Sequence, residues 1–272
     1  MIFKFKITIL LFFLIPAIFF ISSCDEEFNQ IIDDIDNAGI FENNINVTLE
    51  IDLFNITEET EDLNIKITEE TTEYLILYEI NPKFDEYLKI NGDIVGEIKI
   101  NGTNIDFPVV FSGENEYYLK HDIYGNYTKY GAIFMDEINR GAILDRNTLI
   151  HGHNFEGIDD KMFADLEKYK NKDFFENNKI IIYNNLYSDM EWEVFSVYVV
   201  SEKDYEVLIG FYSEQAFIDY VEIIKAKSMF ESDYTPKAGD YILTLNTCSY
   251  EFKNAHTIIH ARLIKKIDNI HK

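Results

Sequence analysis

The run Tyr241-Ile242-Leu243-Thr244-Leu245-Asn246-Thr247-Cys248 is apolar and β-branched, and it ends on a cysteine. Its length and composition read as a buried strand. A second stretch, Thr148-Leu149-Ile150-His151-Gly152-His153-Asn154, reads as another apolar strand that ends in histidine and glycine. The chain has 2 cysteines, and the other, Cys24, closes the N-terminal leader. A structural disulfide between them is therefore not expected. What the protein does turns on whether the two strand ends meet.

Composition sets the class. A hydrophobic fraction of 47% in 272 residues is enough to fill a core. Tyr (18) and Phe (22) are abundant while Pro (4) is rare, which favours strands over a solenoid or a disordered chain. The formal net charge of -25 argues against nucleic-acid binding, which needs Lys and Arg to neutralise phosphates. It also argues against docking of the folded surface on anionic lipid.

Three segments are expected. Residues 1–24 form a targeting segment, with Lys4 and Lys6 ahead of an apolar run from Ile7 to Ile21. Its end, Ile21-Ser22-Ser23-Cys24, resembles a bacterial lipobox, in which the cysteine is lipidated after cleavage. An uncleaved signal anchor is the alternative. Both would tether the rest of the chain to the outer face of the membrane, in keeping with lysines that stay on the cytoplasmic side. Residues 25–78 are an acidic spacer. From Asp25 to Glu79 there are 17 acids against the single base Lys66, a pattern of solvated stalks. Asn46 to Leu53 and Asn64 to Thr68 could pair within it as a hairpin.

Residues 79–272 read as a compact domain. Glu79 to Ile90 is expected to be helical, with Pro82 as its limit. Strands are expected at Ile94 to Ile100, Val109 to Phe111, Gly131 to Met135, Thr148 to His153, Ile180 to Tyr183, Trp192 to Val200, Tyr241 to Thr247 and Thr257 to Lys266. A polar turn near Asn184-Asn185 separates two of these. Asp160 to Tyr169 reads as a short helix with Phe163 and Leu166 on one face. Ser213 caps another, whose Phe217, Tyr220, Val221 and Ile224 follow the helical repeat. Many short strands with few helices predict an all-β barrel or sandwich.

A cysteine attacks carbonyls as its thiolate, which needs a neighbouring base or cation at neutral pH. Cys248 at one strand end and His153 at another could supply that pair. On spacing alone, Cys248 is equally well read as a small buried residue, and His153 as a turn histidine. His151 and His153 lack a cluster of acids or cysteines at ligand spacing, so no metal is expected, nor any other cofactor.

Thr244-Leu245-Asn246-Thr247-Cys248 resembles the TLxTC signature of sortases. Thr148 to Phe155 is similar to the stretch carrying the sortase histidine, followed by asparagine in class B members. Asn91 to Val110, Tyr117 to Met135, Met162 to Phe175 and Phe195 to Val200 also resemble class B sortases, as does the helix from Ser213. The likeness covers Glu79 to Lys266 and leaves out the spacer.

It implies a closed sortase-like β-barrel with a few peripheral helices, one of them before the cysteine strand, and a cysteine transpeptidase. Cys248 would attack a Thr carbonyl in the C-terminal sorting signal of an exported protein, giving an acyl-thioester. His153 would act as general acid and base. The acceptor would be an amine of a peptidoglycan precursor or of a surface protein. Thr247, Asn246 and Asn154 are the expected substrate contacts.

Class B members carry a catalytic arginine after the cysteine. Here the aligned residue is His256, with Arg262 too far along the strand to replace it. A protonated His256 could hold the oxyanion, although its charge varies with pH. Glu97 and Asn246 also depart from the family, which often has tryptophan and serine there. A sortase-fold protein that binds sorting signals without turnover is the alternative, and an adhesin with a vestigial pocket is a third reading.

Overall fold

The structure is a computed structural model that describes residues 78–155 and 161–270, together with Ile7–Thr8 and Thr48–Leu49. The latter two form an antiparallel two-residue pair. The rest of the leader, with Cys24, and the expected partner strand Asn64 to Thr68 lie outside the described residues. The chain divides into two units, Met1–Leu77 and Tyr78–Ile270, and the barrel lies in the second.

Eight strands close on themselves. They are β1 (Ile94–Ile100), β2 (Asp106–Val110), β3 (Ile133–Met135), β4 (Asn147–His151), β5 (Ile180–Asn185), β6 (Ser188–Ser201), β7 (Ile242–Ser249) and β8 (Ala255–Asp268). Their order around the barrel is β8-β6-β5-β1-β2-β3-β4-β7. Neighbours run antiparallel except β2 with β3 and β4 with β7, which are parallel. Closure leaves no open sheet edge within the barrel. The expected all-β class, with a few peripheral helices, is what the chain adopts.

Alternation decides which side chains fill the interior. Ile98, Val109, Ile133, Ile150, Trp192, Leu243, Leu245 and Ile259 point inward into one cluster. Outside lie α1 (Asp85–Ile90), α2 (Asn115–Tyr118), α3 (Lys172–Asn177) and α4 (Glu214–Ala226), and the last covers β6, β7 and β8. Ser213 caps it by accepting from the Ala216 N–H at 3.1 Å. Its Phe217, Tyr220, Val221 and Ile224 pack on Phe195, Tyr198, Ile242 and Ile258.

Three local expectations change. The stretch from Glu79 becomes helical only at Pro82–Phe84, a 3-10 turn, followed by α1 (Asp85–Ile90). Pro82 has no N–H to give an earlier turn, and Asn81 caps the start by accepting from Lys83 N. Asn184 and Asn185 are not a turn: both are buried at the end of β5, and the chain reverses at Leu186 and Tyr187. Asn185 still makes a turn bond, its Oδ1 accepting from Tyr187 N at 2.9 Å, while the other amide groups reach further. Asn184 accepts from Met190 N at 2.7 Å and Asn185 donates to Ala142 O at 2.9 Å. The helix expected up to Tyr169 is a 3-10 segment, Ala164–Lys170, although Phe163 and Leu166 are buried as the spacing required.

One buried group couples the fold to pH. His260 lies beneath α4 at 0% exposure, between Thr244 Oγ1 and Tyr198 Oη, each 2.9 Å from a ring nitrogen. Burial holds its pKa down, to about 3, with Lys227 adding to the effect. The unfolded chain therefore binds a proton that the folded chain refuses. Stability should be highest above about pH 6.5 and fall progressively as the pH drops toward 3. Denaturant midpoints measured across that range should show the loss, and His260→Gln should flatten it.

Candidate active site

The hairpin of β7 and β8 sets the first contact. Its register places Cys248 opposite His256 and Asn246 opposite Ile258. Leu245 points inward, so Asn246 and Cys248 face outward with His256 beside them. Side chains opposite one another on one face have Cβ atoms roughly 4.5–5.5 Å apart. The tight return leaves Asn254 in the left-handed region at φ 57, where its carbonyl accepts from Glu202 N at 2.9 Å.

The histidine segment arrives from the other side. β4 pairs in parallel with β7, with His151 opposite Asn246. Beyond the strand, Gly152 N donates to Asn246 O at 3.2 Å, and Thr247 Oγ1 donates to Gly152 O at 2.7 Å. Asn154 Nδ2 then donates to Cys248 O at 2.9 Å. Residues 152–154 thus lie along residues 246–248, with His153 between the ties. Tyr250 adds another by donating its hydroxyl to Asn154 O at 2.7 Å. Gly152 is needed for this approach, because a Cβ there would sit 2.5 Å from Ile133 Cδ1 and 2.6 Å from Phe163 Cγ.

His153 Nε2 donates to Leu119 O at 2.8 Å. That bond settles the neutral tautomer and leaves Nδ1 as the nitrogen free for proton transfer. The Phe155 ring lies against it at 5.0 Å. The residues expected to touch substrate are mostly engaged within the protein. Thr247 and Asn154 are buried, with the bonds just given. Asn246 is 7% exposed and bridges two imidazoles: its Nδ2 lies 2.9 Å from His151 Nδ1, and its Oδ1 lies 3.0 Å from His256 Nδ1. Arg262 is committed elsewhere, donating through Nε and a terminal nitrogen to Glu193 at 2.9 and 2.6 Å. Glu97 bonds Asn184 and Lys83.

Cys248 is exposed in an open pocket that Glu202, Tyr250, Phe252, Asn254 and His256 also line. Partial desolvation pushes its thiol pKa up, and the Glu202 carboxylate pushes it further. Burial depresses His256, and His151 depresses it too, while Glu202 opposes both. The ring stacks on Tyr205 at 5.6 Å. Nucleophile and partner are therefore both biased toward their neutral forms.

A sortase-domain family model matches residues 98–264. Sortase B of Listeria monocytogenes is 34% identical over 190 residues, covering 69% of this chain and 76% of its own. Sortase B of Staphylococcus aureus is 35% identical over 188 residues, covering 68% of this chain and 76% of its own. This chain belongs to the sortase family.

Solved structures agree with class B. Clostridium perfringens sortase B superposes with a TM-score of 0.63 at 36% identity, over 66% of this sortase and 98% of that chain. A Staphylococcus aureus sortase B–substrate complex superposes with a TM-score of 0.64 at 34% identity, over 69% and 87% of the two chains. The family is one of cysteine transpeptidases that act on sorting signals.

Sequence reasoning did not single out Asp136, Glu202 or Tyr205, and it set His151 aside. One signal was available. His151 precedes His153 by two residues, as Asn246 precedes Cys248, and in an expected strand that spacing puts a pair on one face. Glu202 offers the test of the site's electrostatics. Glu202→Gln removes the charge that opposes the thiolate, so the Cys248 pKa should fall. Alkylation by iodoacetamide, followed against pH, should shift its midpoint to lower pH. An unchanged midpoint would show that Glu202 does not act on the thiol.

Proposed function

We propose that this sortase is a membrane-tethered, extracellular transpeptidase whose nucleophile is Cys248. Its sulfur attacks the carbonyl of a Thr in a C-terminal sorting signal, and the peptide bond after that Thr breaks to leave an acyl-thioester. His153, through Nδ1, gives a proton to the leaving amine and later takes one from the incoming amine. That acceptor is an amine of a peptidoglycan precursor or of a surface protein. His256 stands beside the carbonyl oxygen and donates to it once protonated.

The observation that supports this reading is the double alignment on Cys248. Register puts His256 opposite it, and the ties from residues 152–154 run His153 alongside it. Incubation with a sorting-signal peptide should give an acyl adduct on Cys248, seen by mass spectrometry and absent in Cys248→Ala. His256→Ala should slow its formation on the order of a hundred- to a thousandfold, the usual cost of one oxyanion donor.

A second reading rests on the depressed His256. If the ring stays neutral throughout, the protein binds sorting signals without turning them over. Peptide binding with no adduct at any pH, together with adduct formation by His256→Arg, would establish that reading instead.

The tether is proposed from the leader: lipid on Cys24, or an uncleaved anchor. Mass spectrometry of the mature N-terminus should find either a lipidated Cys24 as first residue or the leader retained. An unmodified start beyond Cys24 would overturn the tether.

A further inference from the structure

A buried polar chain runs from the end of β3 to the nucleophile. Asp136 is 7% exposed, and its Oδ2 lies 2.8 Å from His151 Nε2. The carboxylate is further held by Asn115 Nδ2 at 3.1 Å and by the Ile138 N–H at 3.0 Å. His151 is stacked on Phe134 at 5.1 Å. The chain continues from His151 Nδ1 to Asn246 Nδ2, and from Asn246 Oδ1 to His256 Nδ1.

The directions of these bonds follow from the carboxylate. Burial of Asp136 opposes its ionisation, but the bonds from His151 and Ile138 outweigh that and hold its pKa below the ordinary value. It accepts only, so His151 Nε2 must donate. With His151 neutral, Nδ1 has a lone pair and takes the amide N–H of Asn246. The amide then presents its oxygen, and only an N–H on His256 Nδ1 satisfies it. The ring nitrogen left for the groove is Nε2, on the residue that the hairpin sets opposite Cys248.

We infer that Asp136, His151 and Asn246 are positioning residues that fix His256 as its Nδ1–H tautomer, with the Nε2 lone pair beside the Cys248 thiol. The inference rests on the catalytic reading above and gives His256 two successive tasks. As sulfur attacks, the Cys248 proton passes to His256 Nε2. The resulting Nε2–H donates to the oxygen that gains charge as the C–S bond forms. His153, once its Nδ1 carries a proton, protonates the departing amine as the C–N bond breaks. In the second half the incoming amine returns a proton to His153, and the departing thiolate recovers its own from His256. Protons balance over the cycle, with no permanent cation in the arginine's place.

The groups facing His256 suit this role. Glu202 and Tyr205 approach from beyond β6, His151 from β4, and Cys248 from β7. Glu202 favours the imidazolium, whereas burial favours the neutral ring that can accept the thiol proton.

Nitrogen-15 spectra of the histidine rings test this without relying on activity. They are recorded on the whole chain at a pH where His151 reads as neutral. Wild type should show His256 as Nδ1–H, and Asn246→Ser should shift it toward Nε2–H with the thermal midpoint recorded alongside. Adduct formation should slow about ten- to a hundredfold in Asn246→Ser, as expected when an orienting partner is lost, and its pH profile should move. In a His256→Arg background the same change should cost under about twofold. An Nε2–H tautomer in wild type, an unchanged tautomer in Asn246→Ser, or an equal loss in both backgrounds would overturn the proposal. Absence of any Cys248 adduct would count against the catalytic reading, while the spectra would still decide the chain of bonds.

Discussion

The parallel ladder between β4 and β7 sets His151 against Asn246, and the bonds past its end carry that alignment on to His153 and Cys248. Strands 90-odd positions apart in sequence meet only because the barrel closes, and a register slip of one residue would turn every side chain to the opposite face. The ties made by Gly152, Thr247 and Asn154 resist such a slip. They use groups that would otherwise be unsatisfied at a strand end. The arrangement of the site is thus inherited from backbone pairing, with little left to freely rotating side chains.

Where local pattern and tertiary demand coincide, the sequence was readable. Ile94–Ile100 shows its strand by alternation, and Ser213 with the apolar repeat behind it marks α4. Asn184 and Asn185 misled because two consecutive asparagines favour a turn when considered alone. In the folded chain Met190, Glu97 and Ala142 supply partners for their amides, and burial becomes affordable.

The site was half legible for the same reason. Cys248 and His153 stand in recognisable motifs, and the missing arginine points to His256. The bridge through Asn246 is a property of register: it needs three strands side by side before His151 and His256 share one amide. Asp136 sits just past a three-residue strand with no periodic signal of its own.

Replacing a guanidinium by an imidazole changes what the groove must stabilise before substrate arrives. A permanent cation would favour the thiolate at all times, and a half-buried ion pair needs further hydrogen bonds to offset lost hydration. Here burial raises the thiol and lowers His256, so the resting groove avoids that cost. On the catalytic reading, charge separates only when the carbonyl oxygen begins to become an anion. Asn246 then matters most, because its oxygen already faces the Nδ1–H of the ring that must become positive. A hydrogen bond to that ring is stronger once the donor is charged, so the contact favours the transition state over the resting state. This differential, rather than the basicity of His256 alone, is how a titrating residue could serve where a fixed charge normally stands.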